Sequence, residues 1–194
     1  MRSSFLTAVL AVVALAAPAH ARELAPLDAG WRFQTGGAAA DAAMPAFDDS
    51  AWLSLDLPHC WGQEQAERGE RPPRTTGWYR RTLDGVAAKP GRRYFVRFEA
   101  AATETEVFVN GQSVGRHRGG FGAFCFEITE QLAAQGDNVL AVRVSNEDIT
   151  SIAPLSGDFP VYGGLVFRLG WARCRTMIRC ARATATRAVR VGIA

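Results

Sequence analysis

Short runs in which every second residue is apolar recur between residues 28 and 168, broken by glycine, proline and asparagine. That is the period of a half-buried strand, and no stretch of this body keeps a helical period for long. In DAGWRFQTGG the alternation sets Trp31 and Phe33 on one face; in RRYFVRFEA it does the same for Tyr94, Val96 and Phe98. NVLAVRVSN aligns Leu140, Val142 and Val144, and GWYRRTL makes a further strand. In FDDSAWLSLDLPHCW, Asp48 and Asp49 suit a turn, Trp52 is an anchor, and Leu55 and Leu57 alternate until Pro58 ends the run. In GGFGAFCFEIT, Phe124 and Phe126 alternate with Cys125, and Phe121 and Phe124 are expected in the core. The strongest local signal is Asn110-Gly111 between two alternating runs, which predicts a two-residue type I′ hairpin with Val107 and Val109 on one side and Phe108 on the other. ITEQLAAQGDN predicts a turn or helical corner, and the charged stretch from Gly62 to Thr76, with Pro72 and Pro73, predicts a long exposed loop. About eight strands with no helical stripe imply an all-β fold, a two-sheet antiparallel β-sandwich of jelly-roll type. There is no internal repeat and no interdomain linker.

The two ends of the chain read differently. Arg2, the thirteen-residue run from Phe5 to Ala17 and the Ala19-His20-Ala21 site have the layout of a signal peptide over residues 1–21, with cleavage after Ala21. A periplasmic or secreted protein is expected. No other run approaches the ~20 apolar residues of a membrane span, so no membrane partner is expected after cleavage. Residues 168–194 hold seven arginines, no acid and no alternation, as in a gene read out of frame, and a disordered tail is expected there. A basic tail for nucleic acid is the competing reading, disfavoured by export. The formal charge of +3 therefore misleads: residues 22–167, taken as the folded domain, carry 14 Lys and Arg against 19 Asp and Glu. This mildly acidic body gives no electrostatic reason to expect nucleic acid.

Cys60, Cys125, Cys174 and Cys180 are too few for a disulfide scaffold and lack a zinc spacing. Cys125 reads as a small buried hydrophobe, and a Cys60–Cys125 bridge stays open. The most informative segment for chemistry is PLSGDFPVYGGL, which sets Asp158 among Phe159 and Tyr162 before Gly163 and Gly164. A carboxylate beside aromatic rings suits a sugar, which offers hydroxyls to the one and C–H faces to the other; the alternative is a surface loop with a satisfied aspartate. The glycines allow positive φ and close approach of another chain or a ligand. His59 and Trp61, on a loop after Pro58, are further binding candidates, with a structural role as the alternative for His59 and for His117. Glu64, Glu67 and Glu70 form the one acidic cluster, but Arg68 and Arg71 lie among them, the pattern of a solvated loop. No G-x-S-x-G or H-E-x-x-H motif is present, and no catalytic or metal-ligating residue is assigned.

Four blocks in order, FDDSAWLSLDLPHCW, TGWYRRTL, FEAAATETEVFVNGQSVGRHRGGFGAFCFEIT and NVLAVRVSN leading into PLSGDFPVYGGL, resemble the N-terminal sugar-binding, galactose-binding-domain-like sandwich of glycoside hydrolase family 2, the β-galactosidase-like enzymes. The resemblance covers nearly all of residues 28–168. It implies that Asp158, ahead of the two glycines, touches sugar hydroxyls, near a cation in some members; no cofactor is required by this chain itself. It implies a core role for Trp78, and a second sugar contact from an asparagine near the position that Arg74 holds here. It implies that the catalytic glutamates belong to a separate downstream barrel, so this chain is expected to be a non-catalytic fragment that binds a carbohydrate, a galactoside by overall likeness. A freestanding carbohydrate-binding module is the alternative. The family pattern continues from the glycines into a closing D-V-x-L strand, which VFRLGWARC replaces, so one sheet edge is expected to stay open.

Overall fold

Tyr94, Val96 and Phe98 are all buried, as are Leu140, Val142 and Val144, so the rows that alternation predicts meet in one apolar core. Burying each such side chain contributes roughly 1.5–3 kcal/mol, which makes this core the main stabilising element. The computed structural model describes residues 23–37, 41–147, 152, 161–166 and 169–174. Its strands are β1 (Glu23–Pro26), β2 (Trp31–Thr35), β3 (Leu53–Leu55), β4 (His59–Trp61), β5 (Thr76–Leu83), β6 (Arg93–Phe98), β7 (Glu104–Val109), β8 (Gln112–Arg118), β9 (Phe124–Glu127), β10 (Asn138–Ser145), β11 (Gly163–Leu165) and β12 (Leu169–Cys174). A five-residue helix α1 (Gln63–Glu67) and a 3-10 turn at Thr129–Gln131 are the described helical pieces.

One sheet has the order β3-β2-β5-β10-β7-β8, the other β1-β12-β6-β9, and every pairing is antiparallel. The core between them joins Trp31, Phe33, Tyr79, Val107 and Val142 of the first sheet to Tyr94, Val96 and Phe98 of the second. This is the two-layer sandwich expected from the pattern. The hairpin at Asn110-Gly111 forms as expected, with φ of 51° and 83°, positive at both central residues as type I′ requires.

Several expectations are corrected. The stretch from Gly62 to Thr76 is largely exposed as expected but is not all loop, since α1 forms within it. Phe121 is not in the core but 81 % exposed, because it rides on a glycine-rich tip before β9 and escapes the strand parity that governs Phe124. Cys125 is disulfide-bonded and Cys60 is a free thiol, so the Cys60–Cys125 bridge does not form. The expected open edge is also absent. Leu169–Cys174 forms β12, which pairs with β6 on one side and β1 on the other. Backbone pairing on both sides needs no side-chain alternation, which is why this segment carried no signal. The rest of the tail and the segment 1–21 lie outside the described residues.

The outer face of the six-stranded sheet is covered by the segment 41–52. Ala42, Ala43 and Trp52 bury Trp78 and Ala141, and Trp78 stacks on Phe108 with ring centroids 5.6 Å apart. Arg80, 2 % exposed, ties this cover to β5. Its guanidinium pairs with Asp49 at 2.7 Å and donates to the carbonyls of Ala42, Met44 and Phe47. A buried charge is tolerated only when partnered in this way.

Candidate functional site

Where β10 ends, the described part of PLSGDFPVYGGL meets β4. β4 and β11 pair through Gly163↔Trp61, Gly164↔Cys60 and Leu165↔His59. On its other side Gly164 exchanges two backbone hydrogen bonds with Ala102, at 2.9 and 3.2 Å. Gly119 donates in turn to Thr103 at 2.8 Å. The result is a small ribbon at one end of the sandwich, with β11 in the middle and neighbouring segments spaced by about 4.8 Å.

The two glycines are explained by this crowding. Gly164 has φ of 137°, and a Cβ there would meet the His59 carbonyl and, at 2.9 Å, both the Cys60 Cα and the Tyr79 hydroxyl. A Cβ on Gly163 would enter the Trp61 ring. The close approach that the sequence implied is therefore made by the chain's own β4.

Asn146 follows β10 and is fully buried. Its Oδ1 accepts from Thr75 N at 2.8 Å and from Trp61 Nε1 at 3.3 Å. Its Nδ2 donates to Pro73 O at 3.1 Å and to Val161 O at 2.9 Å. One amide thus bonds β4, the segment before β5 and the segment entering β11. Sequence reasoning missed it. The available signal was parity: Asn138, Leu140, Val142, Val144 and Asn146 share one row, and the row faces the core.

The four candidate residues occupy different settings. Asp158 lies outside the described residues, three positions before Val161. Tyr162 is half-buried and lines a cleft of about 370 Å³ with Cys60, Gln63, Ala66 and Glu67. His59 is half-buried; its Nδ1 lies 2.8 Å from the Tyr79 hydroxyl, and its ring packs against Phe33 at 4.4 Å between centroids. Burial holds its pKa below the usual histidine value and pushes that of Tyr79 up. A neutral imidazole accepting the phenol proton at Nδ1 satisfies both groups. Trp61 is buried, lies 5.9 Å from Phe33 in a stacked arrangement and has its indole N–H engaged by Asn146. The structure thus brings His59 and Trp61 together as the inner support of the ribbon, with Tyr162 on its open side.

The acidic cluster is dispersed. Glu67 lines the cleft and accepts from Gln63 Nε2 at 3.0 Å, whereas Glu70 pairs with Arg68 on the surface. Glu67 is the one carboxylate lining the cleft among the described residues, whereas retaining glycoside hydrolysis uses a pair ~5–5.5 Å apart. Among the described residues no three His, Cys, Asp or Glu side chains converge on a metal position, and the cation implied beside Asp158 falls outside the described residues. Burial pushes the Cys60 thiol pKa up, which leaves it the weaker nucleophile.

Comparison with known proteins fits this geometry. The family model for glycosyl hydrolases family 2, sugar binding domain, matches residues 65–165, from α1 through β11. The β-galactosidase BoGH2A of Bacteroides ovatus is 37 % identical over 135 residues, covering 66 % of this chain and 16 % of the relative. A β-glucuronidase of Bacteroides fragilis is 39 % identical over 112 residues, covering 57 % of this chain and again 16 % of the relative. A crystal structure of Bacteroides uniformis β-glucuronidase superposes with a TM-score of 0.70 at 35 % identity, over 78 % of this chain and 18 % of that one. The chain therefore spans only a small part of the proteins it matches. With more than half of its length under the family model and its fold superposing on that solved structure, it belongs to glycosyl hydrolase family 2, of which it carries the sugar-binding domain.

Proposed function

We propose that this domain forms the sugar-recognition wall of a family 2 glycosidase, with Asp158 and Tyr162 touching the sugar, His59 and Trp61 backing them, and hydrolysis left to a catalytic domain beyond it. The observation that carries this reading is the ribbon. Asp158 precedes β11 in sequence, and β11 is fastened on both sides by backbone hydrogen bonds, with Asn146 holding the chain just ahead of it at Val161. A binding surface built on such an anchored strand loses little freedom on taking up a ligand. The sugar we assign is a β-galactoside, on the likeness to the B. ovatus enzyme. Export directed by residues 1–21 belongs to the same proposal.

A β-glucuronide is the second reading, and one observation favours it. Arg74 is exposed and has no ion-pair partner among the described residues, on the segment Pro73–Thr75 beside the ribbon. A guanidinium there suits the carboxylate of a uronic acid. Saturation-transfer NMR with methyl β-galactoside and methyl β-glucuronide separates the two. Binding is expected in the mM range, where the free energy is about −4 kcal/mol, and is lost in Asp158→Ala. A preference for the glucuronide that disappears in Arg74→Gln favours the second sugar. Turnover of a nitrophenyl galactoside by the purified chain, abolished in Glu67→Gln, overturns the non-catalytic reading.

A further inference from the structure

We infer that Asn146 is a positioning residue for the sugar site, a buried side chain that ties the Arg74 segment to Val161 at the entry to β11. The inference rests on the proposed sugar-binding role for its functional meaning, and on the geometry alone for its structural one. An amide has two acceptor lone pairs and two N–H donors, and here all four are used. Oδ1 takes two donors, from Trp61 and Thr75, while Nδ2 serves two carbonyls, those of Pro73 and Val161. Turning the amide over would face donors with donors and carbonyls with oxygen, so the network allows one orientation only.

The bonds to Pro73 O and Thr75 N grip the backbone on both sides of Arg74. The bond to Val161 O fixes the chain three residues past Asp158. The bond to Trp61 Nε1 locks the ring against which Gly163 packs. A second backbone link, Asn146 N to Thr75 O at 3.2 Å, holds the asparagine's own position. Two segments far apart in sequence are thus referenced to one buried amide at the end of the central strand β10. Neither aspartate nor alanine replaces it. Aspartate keeps the shape but turns both donors into acceptors facing carbonyls, and buries a charge. Alanine leaves two N–H groups and two carbonyls without partners.

The test uses the full chain labelled with 15N, in wild-type, Asn146→Asp and Asn146→Ala forms. Amide hydrogen exchange is expected to quicken by about tenfold or more at Thr75 in Asn146→Ala, which loses its acceptor, and at Gly163–Leu165 in both variants, the equivalent of at least one lost hydrogen bond. Val107 and Val142 in the core are expected to keep their protection, and the Trp61 indole N–H resonance to move. Affinity for methyl β-galactoside is expected to fall in parallel. Equal change at every amide means Asn146 is merely part of the core, and unchanged exchange at Thr75 and Gly163–Leu165 means the clamp does not hold; either result overturns the inference. Where both substitutions prevent folding, Trp61→Phe removes one of the four bonds and keeps the ring; quickened exchange confined to the β4–β11 pair then supports the clamp, and unaltered exchange there refutes it. A wild-type chain that binds no sugar but meets the exchange expectations sinks the sugar-binding reading and leaves the clamp standing.

Discussion

Replacing Gly164 with alanine measures how tightly β11 is seated on β4. Two costs add at this position. A side chain at φ of 137° is strained by about 1–2 kcal/mol, by analogy with other left-handed conformations. The new methyl would also press on the His59 carbonyl oxygen and on Cys60 Cα at 2.9 Å. These are backbone atoms that cannot swing away as a side chain can, and overpacking of this kind costs about 1–3 kcal/mol. The total is about 2–5 kcal/mol. Two other glycines separate the terms. Gly136 has φ of 82° with nothing within 4 Å of its would-be Cβ, so its alanine variant should carry the conformational cost alone. Gly122 has neither positive φ nor a neighbour within 4 Å, and its variant should stay within about 0.5 kcal/mol of the parent. Urea unfolding followed by tryptophan fluorescence reads all three. With a slope near 2 kcal/mol/M, Gly164→Ala should lower the midpoint by about 1–2.5 M. If it unfolds no earlier than Gly136→Ala, the close seating of β11 on β4 is wrong.

Two further outcomes follow from buried charge and burial of imidazole. Asp49→Ala strips Arg80 of its counter-ion inside the cover segment and should cost about 2–3 kcal/mol, below the 3–5 of fully buried pairs because Asp49 is 30 % exposed. Adding Arg80→Met to that variant should recover part of the loss in thermal unfolding, since no buried charge then remains; strict additivity would refute the pairing. His59 and His117 both have pKa values lowered by burial, so between their folded values and the usual 6.5 the unfolded chain binds more protons. Stability is full above pH 6.5 and should decline as the pH falls below it. Urea midpoints from pH 8 to 5 should show that decline, and His59→Gln should flatten it; an unchanged profile in the variant would exclude His59 as a source.

The sandwich was legible because each inner row repeats at intervals of two, and rows such as Tyr94-Val96-Phe98 have one outcome in a folded chain. Asn110-Gly111 was legible because few dipeptides tolerate two positive φ angles in succession. Parity fails where the chain leaves a strand. Phe121 sits three residues before Phe124 but on a glycine tip, so its neighbours told nothing about its direction. Trp78 was rightly assigned to burial, yet its partners, Ala42, Ala43 and Trp52, come from a segment with no alternation at all. The candidate site was legible as a motif, through Asp158, Tyr162 and the glycines. Its support was not, because hydrogen bonds from Asn146 reach residues 71 and 85 positions away, and no local pattern encodes such distances.

β1 has a single described partner, β12, with Glu23 opposite Arg173. β1 must therefore wait until residues 169–174 have been made before it can dock, on the order of 10–30 s at ordinary rates of synthesis. A nascent chain halted near residue 165 would contain the entire matched family segment and still leave that sheet with only β6 and β9, fewer strands than a sheet needs to persist by itself. Seating of β1 is thus governed by β12, and a proline within residues 169–174, which removes a pairing N–H, would strike β1 as hard as β12 itself.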